Sequence, residues 1–328
     1  MKKILKIKKN LFIIFVLILF LGTAVTLAQD AVKAEDVDYN NTLSKLSSTT
    51  VQDAIDELSK RVVTCPKGYK CTKKQISNQI TEISYNNKNL IVDETSDKNI
   101  RYIGNNPDNY VSFNNELWRI VGLFNNVNIS SNEVENLVKI VKDDSNETKL
   151  IWDNNLNDWL NSNIENELNT TYLNTLDEQS QNMIKQVSNK VSSYTSQSYS
   201  ASEIYVSERI NKTKDEKVSI LYPSDYVYAA SDGQTNTRDD CLNISVNKLS
   251  EKSECKANNW LYNSNENTWL NLYDSQSKDK AYYLSSEGNI ELGIITELKS
   301  VKPVVYLTTD VYIKSGTGTK TNPYILSL

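Results

Sequence analysis

The chain has 328 residues, 41 of them acidic, 36 basic and none histidine, for a net charge of −5. Without histidine there is no Ser-His-Asp triad, Cys-His dyad, HExxH zinc site or imidazole acid–base catalysis. The nine glycines build neither a GxGxxG loop nor a P-loop, and the acidic balance argues against nucleic acid as a partner.

Met1 to Asn10 carries Lys2, Lys3, Lys6, Lys8 and Lys9 and no acid. Leu11 to Leu21 is unbroken apolar sequence, and Gly22 to Ala28 continues it with small and apolar residues. This is the order of a bacterial signal peptide, with Thr26-Leu27-Ala28 as a cleavage site before Gln29. Leu11 to Ala28 is also just long enough to span ~30 Å of hydrocarbon, so an uncleaved membrane anchor is the alternative. The lysines would then stay inside. Either way residues 29–328 are expected outside the cell, secreted or held at its surface. No second run of comparable apolarity follows, and loss of the lysine-rich segment leaves the rest more acidic still.

Residues 29–49 are polar and mixed and read as a tether. Thr50 and Asp53 then form a start like a capping box. Val51, Ile55, Leu58 and Val62 recur on one helical stripe, with Asp53, Asp56 and Glu57 early and Lys60-Arg61 late, as the helix dipole favours. A helix this short is marginal alone and needs a partner. Residues 65–99 are expected to be a disulfide loop, Cys65-Pro66-Lys67-Gly68-Tyr69-Lys70-Cys71, and a polar connector with a short strand at Leu90-Ile91-Val92. The four cysteines fall into two close pairs, Cys65 with Cys71 and Cys241 with Cys255, which in an exported chain reads as two local disulfides. Three connectivities exist, and reduced thiols are the other reading.

The composition changes at Ile100, where a domain spanning 100–328 begins. Tyr110 to Phe113 and Glu116 to Phe124 read as strands joined by a turn at Asn114-Asn115, the second half-buried with Leu117, Arg119, Val121 and Leu123 alternating. Leu137 to Val141 is another strand. Trp159-Leu160-Asn161 lies in a helical region, and Leu173 to Gln186 is a second helix. Further strands are expected at Val218 to Tyr222, Tyr282 to Leu284, Ile290 to Ile295 and Pro303 to Leu307, before a turn-rich end. Strands, then helices, then strands indicate α+β, and the stretch is long enough for one filled core.

Two resemblances follow from these segments. Ser48 to Leu58 resembles the "STTVQDAIDEL" spacer of bacterial surface and phage tail proteins, which implies a stalk or a self-associating helix over residues 43–62. Leu117-Trp118-Arg119-Ile120-Val121, Trp159-Leu160-Asn161, Leu176-Asp177-Glu178, Ser224-Asp225-Tyr226-Val227, Asn259-Trp260-Leu261, Thr268-Trp269-Leu270, Gly288-Asn289-Ile290 and Val301 to Val305 form a second set in fixed order. Together they resemble a domain family of unknown function in surface proteins of low-GC Gram-positive bacteria. That family is distantly similar to the C-type-lectin-like fold of formylglycine-generating enzymes. The resemblance implies a small twisted antiparallel sheet crossed by long loops. It carries over no enzyme. Formylglycine formation needs a cysteine pair that binds copper, and here Cys241 and Cys255 are expected to bond to each other. The Glu-Pro-Asn and Gln-Pro-Asp motifs of calcium-dependent sugar sites are absent. The family's Trp-Trp-Leu-Arg-Ser-Pro stretch survives only as Asn259-Trp260-Leu261-Tyr262-Asn263-Ser264.

The candidate sites are few. Trp260, Trp269, Tyr226, Tyr228 and Tyr262 form either a sugar- or protein-binding face or core. Asp225, Asp232, Asn236, Asp239 and Asp240 form either a calcium loop or a solvated acidic loop, the plainer reading. The abundant asparagines suit sugar hydrogen bonding or reflect the codons of an AT-rich genome. We expect a non-enzymatic extracellular module that binds a protein or glycan without a cofactor. A structural subunit of a surface or phage-derived assembly is the first alternative, and a glycan hydrolase with a carboxylate pair the second.

Overall fold

The computed structural model describes residues 33, 37–38, 49–54, 74–144, 149–194, 199–209 and 213–328. The apolar run 11–28, most of the stalk helix and the Cys65 to Cys71 loop lie outside these residues. No helix among the described residues is long and apolar enough to cross a membrane. The chain divides into two compact units, Met1–Thr72 and Lys73–Leu328.

In the first unit a helical turn begins at Val51. Thr50 Oγ1 accepts from Asp53 N at 3.1 Å, the cap expected from the sequence. Val51 N donates to Val37 O at 2.9 Å, so residues expected as tether pair with the helix start.

The second unit is α+β, with more strand than helix. It opens with α1 (Ile76–Ser84), followed by β1 (Leu90–Val92), β2 (Ile100–Tyr102), β3 (Tyr110–Phe113), β4 (Glu116–Ser130) and β5 (Glu133–Lys142). Next come β6 (Lys149–Leu150), α2 (Asn163–Glu167), α3 (Glu178–Met183), β7 (Ile184–Lys185), β8 (Val187–Lys190) and β9 (Ser193–Tyr194). Then α4 (Ala201–Ser207), β10 (Thr213–Glu216), β11 (Ser219–Ile220), α5 (Pro223–Val227), α6 (Arg238–Asn243) and α7 (Ser253–Ala257) lead into the final strands. These are β12 (Thr268–Asp274), β13 (Lys280–Leu284), β14 (Ile290–Ile294), β15 (Lys299–Ser300), β16 (Pro303–Leu307), β17 (Tyr312–Ser315) and β18 (Tyr324–Ser327).

Among the described residues the strands form three sheets rather than one. The largest runs β11-β16-β5-β4-β3-β18-β17, with β2 also on β4, β1 on β2 and β7 on β16. A second runs β14-β13-β12-β15-β6 with β9 on β12, and β8 pairs with β10 alone. Pairing is antiparallel except for β3–β18, β12–β15 and β12–β9. Asn114 and Asn115 join β3 to β4 with φ of 53° and 57°, the left-handed turn their short polar side chains tolerate.

Three elements depart from the sequence expectation. Residues 74–99 are part of the folded unit rather than a connector. Ile76 and Ile80 of α1 are buried in the core, and Gln79 exchanges both side-chain amide bonds with the backbone of Ile313, at 3.0 and 2.6 Å. Trp118 to Phe124 of β4 is buried throughout instead of alternating, because β4 is an inner strand with α1 packed against it. Gly122 lies so close to β2 that a Cβ there would sit 2.1 Å from Ile100 O. The helix expected over Leu173 to Gln186 is broken at Leu176, which is extended, and restarts where the Asp177 side chain accepts from Ser180 N at 2.7 Å.

Candidate functional site

Of the two readings open for the aromatic cluster, face or core, burial favours core. Trp269 and Tyr226 are buried, and Trp260 is only 7% exposed. Trp269 packs edge-on to Trp152, which packs on Trp159 in turn. Each indole N–H finds a carbonyl or carboxylate, Trp269 on Leu150 O at 2.9 Å and Trp260 on Tyr102 O at 2.9 Å. Tyr228 is buried beside Arg101. Tyr262 is half-buried and donates to Ser286 O at 2.9 Å. Trp269 ties β12 to β6 and Trp260 ties a loop to β2, and both rings are buried.

The acidic loop is likewise not brought together. Asp225 is buried in α5, whereas Asp232 and Asp239 are exposed. Asp232 accepts from Arg238 N at 2.6 Å, and Asp240 closes a capping box with Thr237 at the start of α6. Among the described residues no three His, Cys, Asp or Glu side chains form a group that could hold a metal ion. Cys241 and Cys255 are bonded, tying α6 to α7.

The chemistry gathers instead around Asp225. Its carboxylate takes Arg101 Nη1 at 2.9 Å and Lys139 Nζ at 2.6 Å, and Asp93 takes Arg101 Nε at 2.6 Å. Burial favours the neutral forms, yet Lys139 and Arg101 hold the Asp225 carboxyl below its ordinary value. Burial pulls Lys139 down to about 8, only partly offset by Asp225. The two cations also lie over aromatic rings. Arg101 is 4.5 Å from the Phe124 centroid, and Lys139 is 4.9 Å from Tyr222 and 5.5 Å from Tyr306. Arg101 Nη2 is buried without a hydrogen-bond partner and relies on those rings.

Above this cluster opens a cleft of about 440 Å³, a volume typical of ligand sites. Ser96, Asp97, Asn99, Phe124 to Asn128 of β4, strand β8, Tyr205 and Val206 of α4, Arg209, Tyr222 and Tyr306 line it. Arg209 is laid over the Tyr205 ring, 3.5 Å from its centroid. Its Nη1 donates to Tyr205 O at 2.9 Å and Glu208 Oε2 at 2.8 Å. Glu208 is itself fixed by Ser224 N and Oγ, each at 2.6 Å. Burial raises the Glu208 carboxyl. Burial would lower Arg209, but Glu208 and the surrounding phenols outweigh it, so Arg209 stays cationic. Tyr222 OH meets Asn189 Oδ1 at 2.7 Å, and Tyr205 OH donates to Asp97. Tyr306 OH makes no hydrogen bond among the described residues.

Behind β8, Glu216 is pushed up to about 7 by burial. It accepts from Trp159 Nε1 at 3.0 Å and Asn189 Nδ2 at 2.6 Å, so this carboxyl braces the cleft wall and does not line it.

Sequence reading missed Arg209, Tyr205 and Tyr306. One signal was present: Ser200 and Glu203 form a capping box, and the helix it starts carries Tyr205 and ends just before Arg209, four positions on. No protein-family model, curated protein or solved structure matches the chain.

Proposed function

We propose that the chain is an exported surface module, non-enzymatic, that binds a glycan in the cleft around Arg209. The observation that carries this reading is the convergence of Tyr205, Tyr222 and Tyr306 with Asn99, Asn189 and Arg209 on one open cleft. Phenols, amides and a guanidinium are the donors and acceptors that hydroxyl-rich ligands need, and the ring edges supply apolar contact. Fixed side chains lower the ordering cost of binding, and the ionic cluster beneath fixes these.

Export rests on the lysine-led apolar run 1–28, cleaved or kept as an anchor. The Cys241–Cys255 disulfide suits an oxidising compartment. The stretch from Tyr228 to Asn267 holds no strand of the three sheets, which supports the long-loop, lectin-like resemblance.

The test is a glycan array probed with the full-length chain in detergent, beside Val206→Trp. Val206 lines the cleft and is 59% exposed, so a large ring there blocks the cleft without entering the core. Binding that Val206→Trp abolishes is the expected result. Binding to no glycan, or binding that survives the block, would overturn the assignment.

A further inference from the structure

We infer that the ligand of this cleft carries a carboxylate, as an acidic sugar does, and that Arg209 and Tyr306 receive it. The inference rests on the glycan reading and narrows it.

Arg209 is a fork with one side in use. Nη1 is spent on Glu208 and the Tyr205 carbonyl. Nε and Nη2, the other edge, make no hydrogen bond among the described residues, while the side chain remains 23% exposed in the cleft. That edge matches the two oxygens of a carboxylate. The Tyr205 ring and Glu208 fix the guanidinium plane before any ligand arrives. Tyr306 adds a second observation. It is 8% exposed and lines the cleft, and its hydroxyl has no partner among the described residues. A phenol this buried with no acceptor in the chain is costly unless water or a ligand accepts from it. Tyr306 and Arg209 line the same cleft.

The charge balance favours one negative charge over two. Beneath the cleft Asp93, Asp225 and Glu208 face Arg101, Lys139 and Arg209, three against three. The lining itself holds one carboxylate, Asp97, and two cations, Arg209 and Lys190. A monoanion needs only the donors already aimed at it.

The experiment uses the full-length chain in detergent and uronic-acid oligosaccharides, before and after reduction of their carboxyls to alcohols. Reduction should weaken binding at least about tenfold, the loss expected for hydrogen bonds to a charged group. Tyr306→Phe should weaken binding of the acidic form about tenfold and leave the melting temperature unchanged. Arg209→Gln should lose more. It also strips Glu208 of its counter-charge, which is why Tyr306→Phe is the variant that keeps the test clean. Equal affinity for acidic and reduced sugars would overturn the inference and leave the glycan reading standing. So would binding of neutral glycans alone, or an unchanged affinity in Tyr306→Phe. Failure to bind any glycan would overturn both.

Discussion

Lys139 Nζ lies 2.6 Å from Asp225 Oδ2, and solvent reaches neither side chain. The pair joins β5 of the large sheet to α5, and Arg101 of β2 shares the same carboxylate. A buried pair need not stabilise relative to an apolar one, but breaking it leaves an uncompensated charge. Asp225→Asn strands two cations at once and should cost about 3–5 kcal/mol in urea unfolding. Lys139→Met should cost less, because Arg101 still neutralises Asp225. The reverse order would show that Arg101 and Asp225 are not the centre of the cluster.

Glu216 gives the fold a pH dependence. Its carboxyl is pushed from 4.5 to about 7, so between those values the folded chain holds a proton that the unfolded chain releases. Stability should therefore fall as pH rises through this window, by ~3 kcal/mol at most. Glu216→Gln should flatten the slope. A wild-type profile that is level from pH 4.5 to 7 would contradict the assignment.

Two tyrosines in the cleft should separate under the same substitution. Tyr222 OH is hydrogen-bonded to Asn189, whereas Tyr306 OH has no partner among the described residues. Tyr222→Phe should lose about 1 kcal/mol or more, since Asn189 Oδ1 gives up a donor. Tyr306→Phe should be neutral in the same thermal melt. Equal losses would show that the hydroxyl of Tyr306 is engaged within the chain.

The Cys241–Cys255 bond spans 14 positions and ties α6 to α7. Replacing both cysteines by alanine should cost about 3 kcal/mol by loop-closure entropy. Limited proteolysis should then cut first between residues 231 and 258. Cleavage elsewhere at the same rate would argue that the bond stabilises more than its own loop.

What the sequence disclosed was local. The hairpin turn at Asn114-Asn115, the strands around Ile120, Ile140 and Val305, and the closeness of Cys241 to Cys255 are all written within a few positions. The ionic cluster was not legible, because its members stand far apart: Arg101 meets Asp225 across 124 positions and Lys139 across 86. A charged residue in a strand reads as surface until its partner is seen. Helix α1 was hidden by its polar neighbours, though Ile76, Ile80 and Ile83 keep helical spacing. Trp269 could be read as face or core from the sequence, and its burial in β12 makes it core. Several asparagines do internal work: Asn157 Nδ2 reaches the carbonyls of Asp274, Ser277 and Lys280, at 2.6, 2.6 and 2.8 Å.

The place of β18 governs when the large sheet can be completed. Tyr324 and Ile325 lie beside Val111 and Ser112, so β18 is inserted between β3 and β17 by residues made long after β3 itself. The β4–β5 hairpin can form as soon as it is synthesised, whereas β3 keeps one bare edge through nearly all of the chain's birth. A ribosome that stalls before residue 324 would release a molecule whose β3 is ready to pair with a stranger.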